Sequence, residues 1–520
     1  MLIDASVKML KVKSFLNRPG QAAIPFNGFE SVVEVADMEA IQGLNPRALW
    51  QHFREISRIP RESGNEAGVA EYIVLKAKGF NLPCRTDEAG NVMVIKPGLK
   101  GYPPVALQSH MDMVCEKDRY TQHDFKSDPI RLVRDRAWIR ASGTTLGADN
   151  GIGVAAMLAV MEDSNLDHPD LNLLFTVEEE TGLTGAHKLS RGSFTAQTLL
   201  NLDSEEEGTF SIGCAGGMDT ELILEPDFMT VPENTVPVTV KITGLKGGHS
   251  GTDIHRGFGN AIKLLGRFLY AIYSAYGFHL ASFQGGNKHN AIPREAEALI
   301  LVKRSDIDAL RQEAVHWNNI LRSEFKQIDD GVALILEESD VSTPRVVEPE
   351  DTQKIFNLLQ ALPHGPLKSD PNLDNTVITS TNLAVCSFKQ DTFVVTTSQR
   401  STIQSALHDM AAQVAAIGEL AGCLVNHGNT YPAWRPDPSS PILKTCTGLY
   451  KSLYKKAPRV KVIHAGLECA VIAERIKDLD MISFGPTIEQ PHSPNERVEI
   501  ESVGRFWDYL TALLRHMAGQ

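Results

Sequence analysis

The stretch LNLLFTVEEETG, residues 171–182, decides the fold class. Its first seven residues form a short continuous apolar run with Phe175, Thr176 and Val177 at the end. Such a run predicts a strand buried on both faces. Glu178, Glu179 and Glu180 follow at once. Three adjacent carboxylates at a strand end repel one another and are costly to desolvate. They become tolerable when divalent positive charge neutralises them.

The flanking chain supplies the alternation that a both-face-buried strand requires. NVMVIKP, PVALQSH and TLLNLD read as further strands. NPRALWQHFREISRI, NEAGVAEYIVLKAKGF and the glycine-opened GIGVAAMLAVMED read as helices. Strands alternating with helices give an α/β sheet layered by helices. After CAGG, residues 214–217, the pattern changes to strands on one face and helices on the other, an α+β segment inserted into the first. Its strands are TVPVTVKITGL, EALILVKR, GVALILEES and VCSFKQDTFVVTT, and its longest helix is TIQSALHDMAAQVAAIGELAG. The proline-rich YPAWRPDPSSP, residues 431–441, crosses back to an α/β ending. The expected organisation is therefore an extension over 1–35, an α/β domain from 36–216 and 430–520, and an insertion over 217–429.

Chain-wide properties set the limits. A length of 520 residues exceeds one core, so at least two domains are expected. The net charge of −13 weighs against nucleic acid and anionic membranes as partners. Seven dispersed cysteines without a CxxC pair suit a reducing, cytoplasmic setting rather than a disulfide framework. No apolar stretch approaches the ~20 residues of a membrane-spanning helix. The start, MLIDASVKMLKVKSFLNRPG, carries Lys8, Lys11, Lys13 and Arg18 against Asp4. It is read as a flexible extension, with an organelle transit peptide as the alternative.

The polar residues at the strand ends carry the chemistry. SHMDMV sets His110 and Asp112 two apart, on one side of the chain. TTLGADNGIG sets Asp149 before a helix, NLDSEEEG supplies Asp203, and GPTIEQPHSPNE supplies His492. Taken singly, a strand-end histidine is usually structural and an acidic run is usually a solvated loop. Together, two histidines with several carboxylates suit a borderline divalent metal such as Zn²⁺, with Mn²⁺ or Co²⁺ as substitutes. Five ligands serve two metals when one carboxylate bridges. These residues point to a metal-dependent hydrolase of unspecified substrate.

Nine motifs in chain order, SHMDMV, GTTLGADNGIG, EETGLTGA, NLDSEEEG, GCAGG, GLKGGHSGTDIHRGFGNA, NAIPREA, HAGLECA and GPTIEQPHSP, resemble the cytosolic aminoacyl-histidine (Xaa-His) dipeptidases. These belong to the di-zinc aminoacylase/carboxypeptidase-like metallopeptidases, and the likeness runs from about residue 45 to the C-terminus. It implies a zinc-exopeptidase-like catalytic domain with an inserted lid and dimerisation domain, a homodimer, and two Zn²⁺ per chain. It implies His110 and Asp203 on one zinc, Glu180 and His492 on the other, and Asp149 bridging, with a cis Asp149–Asn150 peptide. Asp112 would orient His110 and Glu179 would be the general base, leaving Glu178 a bystander. That register requires a turn at the strand end, which Thr181-Gly182 can supply. The resemblance further implies that His249 reaches the scissile carbonyl from the partner subunit. Asn290 and Arg400 would grip a free carboxylate, and Gly466 would line the pocket. Gln399 departs from the apolar residue often found before this arginine. The implied reaction is hydrolysis of dipeptides such as carnosine. The alternatives are an aminoacylase or tripeptidase of the same fold, and a non-catalytic metal-dependent binding protein. A serine hydrolase is disfavoured, because no GxSxG occurs.

Overall fold

A computed structural model of the chain describes residues 38–371 and 376–519. The N-terminal extension expected over residues 1–35 lies outside the described residues. The apolar run before the three glutamates forms the strand Leu171–Thr176, buried at every position. It pairs in parallel with Val105–His110, so that Thr176 stands opposite His110. Val105–His110 pairs in parallel with Thr198–Asn201 on its other side. Three central strands therefore end together, and the residues after them leave the sheet at one edge. The complete sheet has eight strands, with Cys84–Thr86 and Val92–Lys96 antiparallel at one side and Asp480–Ser483, Thr209–Cys214 and Arg459–Ile463 at the other. It is mixed, as the α/β reading required.

The helix Ala148–Glu162 lies against this sheet. It is apolar on all sides and is buried from Ala148 to Met161, as an all-round apolar helix must be. Arg47–Ser57 packs on it through Leu49, Trp50, Phe53 and Ile56. The closing helix Ile500–Met517 joins the same apolar cluster through Val503, Phe506, Leu510 and Leu513. A small antiparallel sheet, Leu132–Asp135, Trp138–Ala141, Arg497–Glu499 and Ile488–Glu489, stands apart from the large one. It has no alternation clear enough to be expected from sequence, and it fixes both ends of the loop that carries His492.

The second large sheet runs from Gly216–Leu224 to Leu424–Tyr431 in sequence and has nine strands, all antiparallel. The helices Ala261–Tyr276, Ile307–Glu324, Pro349–Ala361 and Gln404–Leu420 share a separate apolar cluster with it. VCSFKQDTFVVTT, expected as strand, is the closed end of a hairpin. Val377–Lys389 returns as Thr392–Ser401 through Gln390, whose φ is +56°. Phe388 and Phe393 face each other across that turn, which is why the hydrophobic pattern runs through it unbroken.

Candidate metal centre and catalytic site

The strand Leu171–Thr176 gives way to a turn in which Gly182 and Leu183 donate to the carbonyl of Glu179. Glu178 sits at its start with φ +50°, and its N–H donates to Glu66. The turn that an adjacent pair of functional glutamates needs is thus present, and Thr181-Gly182 forms its crest. Asp112 ties this turn to the neighbouring strand. Its carboxylate accepts from the N–H of Glu179 at 3.1 Å, the N–H of Glu180 at 3.2 Å and Ser63 Oγ at 2.7 Å.

Asp112 also anchors the ring of His110. Its carbonyl and its Oδ1 lie 3.2 and 3.3 Å from His110 Nδ1. Two acceptors at Nδ1 hold a proton there, so Nε2 is the nitrogen turned toward the cluster. It faces Asp149 Oδ1 at 3.2 Å and Asp203 Oδ1 at 3.4 Å. The other oxygen of Asp149 lies 3.1 Å from His492 Nε2, which is itself 3.1 Å from Glu180 Oε1. Asp149 therefore sits between two histidines, one oxygen toward each. The peptide between Asp149 and Asn150 is cis. Asn150 donates its amide to Leu202 O at 2.9 Å and to Asp203 Oδ1 at 2.5 Å.

The donor set fits divalent cations. Ligand atoms of His110, Asp149 and Asp203 lie within 4.8 Å of one another, and so do those of Asp149, Glu180 and His492. His110, Glu179 and Glu180 form a third such group. Glu180 Oε1 is buried 3.1 Å from His492 Nε2, which puts both ligand atoms on the same side of Asp149.

Electrostatics support the same conclusion. Burial pushes Asp203 up to about 6, His110 pulling it back and Asp149 and Glu180 adding to the rise. Burial likewise lifts Glu205 and Glu468 to about 8 each. Glu179 is held well above the ordinary carboxyl range by burial, with Asp203, Glu180 and Glu468 adding to it against His110. Burial would lower His492, but Asp149 and Glu180 outweigh it and raise the imidazole to about 11. The pocket contains more carboxylates than its own cations can balance.

Two buried residues that sequence reasoning missed hold this cluster in place. Glu496 Oε2 accepts the N–H groups of Leu146 and Gly147 at 2.8 and 2.9 Å. Its Oε1 accepts those of Ala148 and Asp149 at 2.7 and 3.3 Å. Arg61, 2% exposed, donates to the carbonyls of Met111 and Asp112 at 3.0 Å each, and also to that of Gly147. The signals were weak. Glu496 ends the quoted GPTIEQPHSPNE, four residues past His492, and Arg61 opens a polar run between two helices.

The remaining expected residues come from the second sheet and its loops. Arg400 stands opposite Gly217, with Tyr431 on the far side of the same glycine. Arg400 Nη1 donates to Tyr431 Oη at 2.7 Å, while its buried Nε has no partner. A Cβ on Gly217 would lie 2.3 Å from the Tyr431 ring, which must then shift, while one on Gly466 would sit tight against it at 3.0 Å. Gln399 points to the opposite face. There it accepts from Thr220 and donates to Thr397 at 2.7 Å and Thr381 at 3.3 Å, so the departure from an apolar residue is fully bonded. Asn290 accepts from the Ser250 N–H through its carbonyl.

His249 pairs with Ala291 in a two-residue ladder. Its Nδ1 accepts from the N–H of Gly251 at 3.2 Å and of Thr252 at 3.1 Å, which leaves the ring proton on Nε2. Burial, Arg400 and His492 push this imidazole down to about 4 against Asp253, so it is neutral at pH 7. The next turn packs against its own chain: a Cβ on Gly251 would fall 2.2 Å from the carbonyl of His464. Within the described chain the Gly251 turn therefore lies against His464, and the charges of Arg400 and His492 act on the His249 imidazole.

An α/β sheet whose parallel strands deliver a histidine and carboxylates to one edge, where a loop of the small antiparallel sheet adds a second histidine, and an inserted α+β layer that contributes an arginine and a neutral histidine, together define a metal-dependent hydrolase. The model of Peptidase family M20/M25/M40 matches residues 106–516, and the chain belongs to this family. It is 40% identical over 92% of its length to the cytosol non-specific dipeptidase of Escherichia coli K12, covering 99% of that protein. The crystal structure of aminoacylhistidine dipeptidase from Vibrio alginolyticus superimposes with a TM-score of 0.83 at 39% identity, over 92% of this chain and 98% of that one. A tripeptidase from Staphylococcus aureus shares the fold at 17% identity and a TM-score of 0.53, over 92% of this chain and 100% of that one. Among the described residues no helix is long and apolar enough to cross a membrane.

Proposed function

We propose that this M20 metallopeptidase hydrolyses dipeptides, Xaa-His among them, with two divalent cations per chain, Zn²⁺ in the first place and Co²⁺ or Mn²⁺ as substitutes. His110 and Asp203 would hold one, Glu180 and His492 the other, and Asp149 both. When bound, such cations polarise a carbonyl and make a nearby water acidic near neutrality. Residues 36–216 and 430–520 form the catalytic part in this reading, and residues 217–429 a lid that also dimerises.

The chain's own residues divide the remaining work. Glu179 belongs to neither three-ligand set that shares Asp149. It takes a proton from the attacking water and returns it to the leaving amine. Its raised affinity for a proton, set by burial, suits that role. His249 carries its proton on Nε2 and donates it as a hydrogen bond to the carbonyl oxygen as charge develops there. Arg400, with a buried unpartnered Nε, receives the free carboxylate of the substrate. Asn290 assists it, and Gly466 leaves room for the peptide.

The observation that carries this reading is Asp149, one oxygen toward each histidine and each oxygen within reach of a further carboxylate. Elemental analysis of gently purified protein, paired with turnover of Gly-His, Gly-Leu and their C-terminal amides, tests it. Two equivalents of metal and a strong preference for the free carboxylate are expected. One equivalent with full activity, or equal cleavage of amides, overturns it.

A further inference from the structure

Beside the arginine stands a carboxylate that the reaction as described does not use. Asp219 lies two residues beyond Gly217 on the strand Gly216–Leu224, opposite Ser398, which is itself two residues from Arg400. Side chains two apart on a strand share a face, about 7 Å apart. Asp219 and Arg400 therefore project side by side from the face opposite the helices. The strand runs from Gly216 past Gly217, which faces Arg400, to Asp219, so Asp219 lies one step further along the strand than the neighbour of Arg400.

Asp219 has two kinds of partner. Asn429 donates its amide to Oδ2 at 2.8 Å, and Ser398 donates its hydroxyl; both come from strands of the same sheet. The other partner is different. His289 Nδ1 lies 2.9 Å from the same Oδ2, yet the imidazole is 52% exposed and stands on the loop before Asn290, outside any strand. Burial would raise Asp219, and the bonds from His289, Asn429 and Ser398 outweigh it, so the carboxylate is charged. An ionised acid beside a carboxylate-binding arginine weakens that clamp unless it serves a positive or N–H-bearing group of its own.

We infer that Asp219 is a specificity-determining carboxylate that receives an imidazole or ammonium side chain from the C-terminal residue of the substrate, at the place where His289 bonds it here. The inference rests on the dipeptidase reading, with Arg400 gripping the substrate's free carboxylate. A substrate anchored there directs its amide toward the cations and its side chain the other way. A histidine side chain places an N–H a few ångströms from its own carboxylate, which matches the one-step spacing from Arg400 to Asp219. His289, as the exposed and loop-borne partner, is the group that gives way.

The test uses the full-length, metal-loaded protein and three substrates, Gly-His, Gly-Lys and Gly-Leu. In Asp219→Asn the kcat/KM ratio of Gly-His to Gly-Leu, and of Gly-Lys to Gly-Leu, should fall about ten-fold or more, carried by KM. In His289→Ala, which frees the acid, both ratios should rise. A purely structural His289–Asp219 latch would hold the Asn290 loop for every substrate alike. Equal losses on all three in either variant would therefore overturn the inference. If Asp219→Asn does not fold, judged by circular dichroism and melting, the direction of the His289→Ala ratios decides alone. A wild-type chain that cuts none of the three overturns the dipeptidase reading and this inference together. One that cuts all three with both ratios unmoved by the substitutions overturns this inference only.

Discussion

Glu496 holds the backbone of Asp149: its Oε1 accepts the Asp149 N–H at 3.3 Å and the Ala148 N–H at 2.7 Å, while Oε2 takes the two N–H groups before them. One buried carboxylate thus satisfies four successive donors at the start of the helix Ala148–Glu162. Negative charge is favourable at a helix N-terminus, where N–H groups lack partners within the helix. Asp149 cannot shift relative to His110 and His492 without breaking this arrangement.

Glu496→Gln tests that relationship. An amide offers one accepting oxygen and turns an NH₂ group toward two of the four donors. The Asp149 segment should loosen, and metal affinity should fall by about 10–100-fold, the usual effect of removing a group that orients a ligand. Competition with a chromophoric chelator measures this without reference to turnover. An affinity equal to wild type would show that the segment holds its place without the carboxylate.

Glu179 and Glu180 are neighbours with different environments, and their substitutions should separate. Glu179→Ala should lower kcat by about 10²–10⁴-fold or more while metal content stays near wild type, because the base is not a ligand. Glu180→Ala should lose metal, having removed a buried oxygen aimed beside His492. Reversed phenotypes, or a dead Glu178→Ala, would place the register one residue away.

The sheet edge was legible because buried parallel strands show continuous apolar runs, and their functional residues follow directly. His110, Glu180 and Asp203 all sit just past such runs. Glu496 and Arg61 were not legible, since a residue that acts through backbone N–H or C=O groups far away in sequence leaves no spacing to read. The hairpin at Gln390 was missed for a related reason. Phe388 and Phe393 continue the apolar pattern across the turn, and Gln-Asp is a weak turn signal beside Asn-Gly. Asp219 lies within an ordinary alternating strand, and only its place beside Arg400 distinguishes it.

His364 predicts an acid-sensitive stability. It is half-buried near Lys263, and burial with that lysine lowers it to about 4. Its Nδ1 lies 3.2 Å from the Asn260 amide nitrogen, a donor that requires the ring to be neutral there. In the unfolded chain a histidine titrates near ~6.5. Between about pH 6.5 and 4 the unfolded state binds the extra proton, so stability should fall as pH drops through that window. Urea unfolding of the metal-loaded protein at pH 7.5, 6 and 5 measures the fall. His364→Gln should flatten it. An unchanged slope would assign the acid sensitivity to other groups.

The position of His249 makes the sharpest prediction. The Gly251 turn is pressed against the His464 carbonyl of the same chain, and Arg400 and His492 both act on the His249 imidazole. A histidine working in its own chain and one supplied across a dimer differ in a mixing experiment. Prepare His249→Ala and Glu179→Ala separately, both inactive, and mix them under conditions that exchange subunits. In the own-chain arrangement every site in every dimer lacks either the histidine or the base, and activity should stay at the level of the separate variants. In a shared arrangement, half the dimers would be mixed and each would hold one whole site, giving about a quarter of wild-type activity. Subunit exchange is verified independently with differently tagged wild-type chains, so that silence cannot come from failure to mix. Recovery toward that quarter would mean that the Gly251–His464 contact does not set where His249 works.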